Sequence, residues 1–153
     1  MAITKGVGKR VVGEVLEESA ERGSREILQE LADRALREVK QDAAEEAGIK
    51  AAEVTLKGPV AGTRIHARFR EFVEELGHPR LRTEVSYLEG DVTWWGKRGS
   101  VRLDVVEYAD EYNEVVEAVY DLKTGAARLT ESRINTILKH VRQNVPVIGI
   151  SPR

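Results

Sequence analysis

An α/β fold is the class this sequence predicts, and three observations predict it. Apolar residues recur at helical spacing as far as Leu76. From Leu81 the period drops to two. After Gly125 it becomes helical again and closes on the short apolar run VPVIGI. The implied order is helices, three strands in a meander, one helix and a last strand. With 153 residues the chain is long enough to bury a core as one domain. Residues 1–57 read as a helical N-terminal segment or linker, ahead of a mixed α/β unit over residues 58–153.

The first fifty residues are helical in pattern. Leu28, Leu31, Ala32, Ala35, Leu36 and Val39 share one face, Ser24 is placed to cap the helix, and Gly48 to stop it. A shorter helix is expected over Val12 to Arg22. Gly58-Pro59 reads as a break. The stretch GTRIHARFREFVEELG then forms a second amphipathic helix, with Ile65, Phe69, Phe72, Val73 and Leu76 as its stripe, Thr63 as cap and Gly77 as terminus. His66 lies beside that stripe, where a lone histidine is more often structural or solvent-facing than catalytic.

Alternation then takes over. LRTEVSYL is the first strand, Glu89-Gly90-Asp91 a turn, and Trp94-Trp95-Gly96 opens a loop that Gly99-Ser100 closes. The two tryptophans read as the edge of the core, with a base-stacking surface as the alternative. SVRLDVVEY is the second strand, ADEYNE a polar turn, and VVEAVYDLKT a third strand antiparallel to the second. Thr130 starts a helix whose stripe is Ile134, Ile137, Leu138 and Val141. The final strand in VPVIGI follows a crossover helix and is expected parallel to the third.

Composition narrows the chemistry. There is no cysteine, so disulfides, thiolate metal sites and cysteine nucleophiles are excluded. No apolar run approaches the ~20 residues of a membrane span, and no signal-cleavage pattern is seen, so no membrane insertion and no classical signal peptide are expected. Net charge is only -2, but it is uneven. From residue 128 onward Arg128, Arg133, Lys139, Arg142 and Arg153 face Glu131 alone, a basic excess suited to a polyanion or to a solvated helix face.

Two acids interrupt apolar strands: Asp104 in VRLDVVEY and Asp121 in VYDLKTG. Residues i and i+2 of a strand project to one face, so Asp121 and Lys123 point together. Consecutive strands can bring Asp104 beside Asp121. Two carboxylates in a half-buried site repel each other, and a divalent cation relieves that repulsion. Hard oxygens suit Mg²⁺, with Mn²⁺ as substitute, and a lysine beside them can stabilise charge on a phosphate. The spacing is equally compatible with a cross-strand salt bridge on a solvated face.

The pattern Asp104 followed by Asp121-Leu122-Lys123 resembles the PD-(D/E)xK motif of restriction-endonuclease-like nucleases. Together with GSVRLDVVEY, AVYDLKTG, RLTESRI and NVPVIGI it is most similar to nuclease domains at the C-termini of bacterial polymorphic toxins of the Rhs and contact-dependent inhibition kind. The resemblance covers about residues 60–153. It implies a restriction-endonuclease-like mixed sheet flanked by helices, and a Mg²⁺-dependent DNase acting as an antibacterial effector. Asp104 and Asp121 would bind metal, Lys123 would be the motif lysine, and Glu84 would be a further acid, with Glu71, Glu74 or Glu75 as alternatives. Thr124, Arg133 and Lys139 are candidate phosphate contacts. A cognate immunity protein, a delivery-protein fusion or secretion apparatus, and action in the target-cell cytoplasm are also implied. Leu103 stands where the family motif has proline. An inactive nuclease-fold module that binds nucleic acid or protein, and a nuclease acting on RNA, are the alternatives.

Overall fold

The computed structural model describes residues 23–153. The helix expected over Val12–Arg22 lies outside the described residues. Helix α1 (Ser24–Ala47) and helix α2 (Gly58–Leu76) pack side by side, with a short 3-10 turn at Ala51–Glu53 between them. Strands β1 (Leu81–Leu88), β2 (Asp91–Thr93), β3 (Val101–Tyr108) and β4 (Val116–Leu122) follow. Helix α3 (Glu131–Val141) then crosses over to β5 (Val147–Ile150).

The strands make one sheet in the order β2-β1-β3-β4-β5. The first three pairings are antiparallel and β4–β5 is parallel. The parallel last strand follows from its helical crossover, as the sequence predicts. The sheet has one strand more than predicted, because the turn at Glu89-Gly90 is tight enough for Asp91–Thr93 to pair back onto β1.

Helices cover both faces. Leu28, Ala32 and Ala35 of α1 and Ile65, Phe69 and Phe72 of α2 share one core with Leu81, Val105, Tyr120 and Ile150 of the sheet. Ile137 and Val141 of α3 share the other with Tyr87, Leu103 and Val119. These apolar stripes are the physical reason the helices form where they do. Each of the larger apolar side chains buried there contributes about 1.5–3 kcal/mol. Arg68 of α2 also reaches Glu38 of α1 at 2.7 Å, fastening the two helices.

The helix stops were legible and two of the starts were not. Gly48 and Gly77 end their helices in the left-handed conformation. The Thr130 hydroxyl accepts the Arg133 backbone N–H at 3.1 Å, capping α3. Thr63, by contrast, is no cap. Helix α2 begins five residues earlier at Gly58, because Pro59 is tolerated in a first turn. Ser24 is likewise inside α1, after Gly23, and its hydroxyl donates to Glu107 of the sheet.

Candidate active site

The sheet is irregular in two places: the β3–β4 register shifts at Glu107/Tyr108, and a second break lies where three strands meet. Leu81 of β1 and Val105 of β3 face the α1/α2 core, whereas Val85 and Leu103, their near neighbours along the same strands, face the α3 core. Regular alternation would keep residues two or four apart on one face. The phase therefore reverses at Glu84 in β1 and at Asp104 in β3. Of the non-glycine residues at positive φ among those described, Glu84 (φ 55°) alone lies within a strand. A residue held in that region costs on the order of 1–3 kcal/mol, and such strain concentrates at functional sites.

Cross-strand register aligns the acids. The β1–β3 pairing runs Thr83–Val105 and Val85–Leu103, so Glu84 stands opposite Asp104. The β3–β4 ladder runs to Val105–Tyr120 and stops, and one step further Asp104 stands opposite Asp121. Glu84, Asp104 and Asp121 thus occupy one row across three adjacent strands. Strand β4 continues beside β5 to Leu122, so β3 and β4 part while β4 stays anchored.

Asp104 fills the fork. Its Oδ2 accepts the Leu122 backbone N–H at 2.7 Å, replacing the missing ladder bond. The Leu122 carbonyl accepts instead from His66 Nε2 of α2 at 3.0 Å, and His66 Nδ1 donates to the Gly62 carbonyl, also at 3.0 Å. Carbonyl oxygens only accept, so both ring nitrogens must carry protons and His66 is an imidazolium. The nearby Asp104 carboxylate, 3.7 Å from Nε2, holds that charge and raises the His66 pKa to about 9 against the opposing cost of burial.

Asp121 is the most deeply buried of the three acids, at 2% exposure. Lys123 Nζ lies 3.0 Å from its Oδ2 and Arg133 of α3 lies 3.4 Å from its Oδ1. The ammonium is poorly aligned, and Oδ2 is left with no hydrogen-bond donor. Arg133 also donates to the Arg102 carbonyl at 3.1 Å, tying α3 to β3. Arg102 in turn holds Glu84, Nε to Oε2, at 2.9 Å. A cavity of about 400 Å³ opens over Glu84, Arg102 and Asp104, walled by His66 and Arg70 of α2.

The predicted site residues therefore divide. Glu84, Asp104, Asp121, Lys123 and Arg133 come together at the fork. Among the described residues, no three acidic or imidazole side chains stand close enough to share a metal ion as they are turned here. Each acid faces a base. Their chemistry nonetheless fits a hard divalent cation: three carboxylates in one row, one of them with a buried oxygen met only by a poorly aligned ammonium. Glu71, Glu74 and Glu75 are exposed on α2; Glu71 lies near Arg68 and Glu74 accepts from Thr83. Thr124 lines a separate cavity of about 540 Å³ with Lys40 and Lys57. Its Oγ1 would stand 2.9 Å from any Cβ at Gly62, so only glycine fits there without the threonine moving. Lys139 is exposed, six residues beyond Arg133 and about 120° round the helix from it.

Two participants escaped the sequence reading. His66 was read as a bystander, and its position beside the Ile65–Phe69 stripe was the one available signal. Arg102, alternating with apolar neighbours in VRLDVVEY, was not singled out. Comparison of the chain with protein-family models, with curated proteins and with solved structures finds no match.

Proposed function

We propose that this chain is a metal-dependent endonuclease that hydrolyses phosphodiester bonds, with DNA as its substrate. The observation that carries the reading is the row Glu84–Asp104–Asp121 at an open sheet fork, ringed by His66, Arg102, Lys123 and Arg133. The mixed sheet with helices on both faces agrees with the restriction-endonuclease-like fold that the motif resemblance implies.

Asp104 and Asp121 would hold Mg²⁺ or Mn²⁺, with Glu84 as a third oxygen donor. When bound, such an ion supplies a nucleophilic water at neutral pH and polarises the phosphoryl oxygen. The chain's own bases do the rest. Lys123 and Arg133 now neutralise Asp121, and both retain access to solvent. Released from Asp121, they turn their N–H groups toward the phosphate and stabilise the charge that grows on its oxygens. Arg102 orients the strand bearing the scissile bond. His66 holds Asp104 in place in the fork. In the hydrolysis the water oxygen bonds to phosphorus, the ester P–O bond breaks, and the water's proton is passed to the departing oxygen.

The resemblance extends this reading to biology: an antibacterial toxin effector, delivered by a fused or separate export machine, working in the target-cell cytoplasm and neutralised at home by an immunity protein. No helix among the described residues is long and apolar enough to cross a membrane. The test is cleavage of supercoiled plasmid by the purified chain with Mg²⁺, Mn²⁺ or EDTA. Metal-dependent nicking or linearisation that vanishes in Asp121→Asn and Lys123→Ala is the expected result. Intact plasmid after treatment with folded protein, together with intact RNA, would defeat the proposal.

A further inference from the structure

The segment between β2 and β3 carries an exposed aromatic pair. Trp94 is 67% exposed and Trp95 71%, which overturns the reading of them as core edge. Neither ring is packed into either core. Each has a cation over one face: Lys97 Nζ lies 4.5 Å from the centre of the Trp94 ring, and the Arg102 guanidinium 5.4 Å from that of Trp95. From Thr93 to Leu103 the chain has three bases, Lys97, Arg98 and Arg102, and no acid. Gly96 and Gly99, both at positive φ, turn the backbone within the loop.

Exposing two adjacent indoles is costly for a surface with no partner. The arrangement selects a ligand that presents flat π-faces and negative charges at short, regular intervals. A nucleic-acid strand does so, provided its bases are unpaired; in a duplex the π-faces are hidden in the stack. Lys97 and Arg102 also polarise the rings they cover, leaving the opposite faces to the bases and their own outer N–H groups to phosphates. Arg102 is the link to the fork, since the side chain that covers Trp95 also holds Glu84.

We infer that Trp94 and Trp95 form a stacking platform for unpaired nucleobases, gripping a single-stranded segment of nucleic acid beside the acid row. The platform rests on the nuclease reading for its choice of partner, but it binds without catalysis. A substrate would be held by its splayed bases on one side and offered by its backbone to Arg102 and the fork on the other.

The test is done in EDTA, so that no cleavage contributes. A short fluorescein-labelled single-stranded oligonucleotide, and the same sequence as a blunt duplex, are titrated into wild-type chain, Trp94→Ala, Trp95→Ala and the conservative Trp95→Phe. Tryptophan emission and label anisotropy are read together. Expected are quenching by the single strand, affinity for it lowered about tenfold or more by each alanine, partial rescue by phenylalanine, and a smaller change for the duplex. The loop is exposed, so circular dichroism of the variants should match wild type. Equal single-strand affinity in wild type and alanine variants would overturn the platform. So would sedimentation showing that the tryptophans hold two copies of the chain together. Quenched binding by a chain that cleaves nothing would sink the nuclease reading and leave the platform standing.

Discussion

Glu107 and Asp121 are buried acids on neighbouring strands, held in different ways. Glu107 accepts from the Ser24 hydroxyl at 2.7 Å and from the Tyr120 hydroxyl at 2.9 Å, while Arg80 stays back at 3.9 Å. Its donors are neutral and sit on regular elements. Burial, reinforced by the Glu107 charge, holds the Tyr120 proton firmly in place. Asp121 is met instead by the flexible side chains of Lys123 and Arg133, and one of its oxygens has no aligned donor. An acid tied by fixed hydroxyls is a staple between α1 and the sheet. An acid faced by part-exposed cations can exchange them for another cation. Burial alone does not distinguish structure from function here; the kind of partner does.

The largest effect expected from this contrast is on activity. Asp121→Asn should lower plasmid cleavage by about a hundredfold or more. The chain should stay folded, because Lys123 and Arg133 are part-exposed and can turn to solvent once the carboxylate is gone. Gel quantification beside urea denaturation checks both halves. Loss of stability without loss of cleavage would break the contrast.

Glu107→Ala should do the reverse. The Ser24 and Tyr120 hydroxyls would be stranded in the core, at a cost of about 1–3 kcal/mol. Cleavage per folded molecule should persist. The urea midpoint and activity at a temperature well below unfolding separate the two.

His66 gives a pH signature. Its pKa in the folded chain is about 9, above its ordinary value of 6.5. Its contribution to stability is therefore complete below pH 6.5 and is lost as pH rises through about 9. His78 is shifted downward by burial and by Arg80, so it acts in the opposite sense: stability gains from it as pH rises through its ordinary value of 6.5, and the His66 decline is read on the alkaline side of that rise. Thermal melts from pH 6.5 to above 9 should show this decline in wild type and lose most of it in Asp104→Asn. An unchanged slope in the variant would assign the decline to other groups.

The smallest effect concerns a cap. Thr130→Ala removes the acceptor for the Arg133 N–H and should cost about 1 kcal/mol. Because Arg133 sits one turn inside α3, the frayed helix start should also loosen its hold on Asp121. A two- to threefold change in cleavage, on the order of half a kcal/mol, would register that coupling in the plasmid assay.

What the sequence made legible follows from local rules. The stripes of α1 and α2, the glycine stops, the Thr130 cap and the parallel last strand depend on spacing and on chain connectivity. Asp104 and Asp121 announced themselves as charges in apolar strands. The rest depended on distant partners. His66 matters because α2 lays it against Leu122, fifty-six positions away. The reversal of faces at Glu84 breaks strand periodicity, so no periodic reading could place it. Gly58-Pro59 signals a break and a helix start equally well, and tertiary packing chose the start. The tryptophans read as core edge with base stacking as the alternative, and their exposure removes the first reading.

Mn²⁺ titration of the purified chain shows whether the acid row takes up a divalent cation in place of its bases. Followed by calorimetry or by the Mn²⁺ electron spin resonance signal, wild type should bind Mn²⁺ with displacement by Mg²⁺. Asp104→Asn and Asp121→Asn should bind much more weakly, and Glu107→Ala should bind as wild type does. Binding that is absent from wild type, or unchanged in both aspartate variants, would contradict the account.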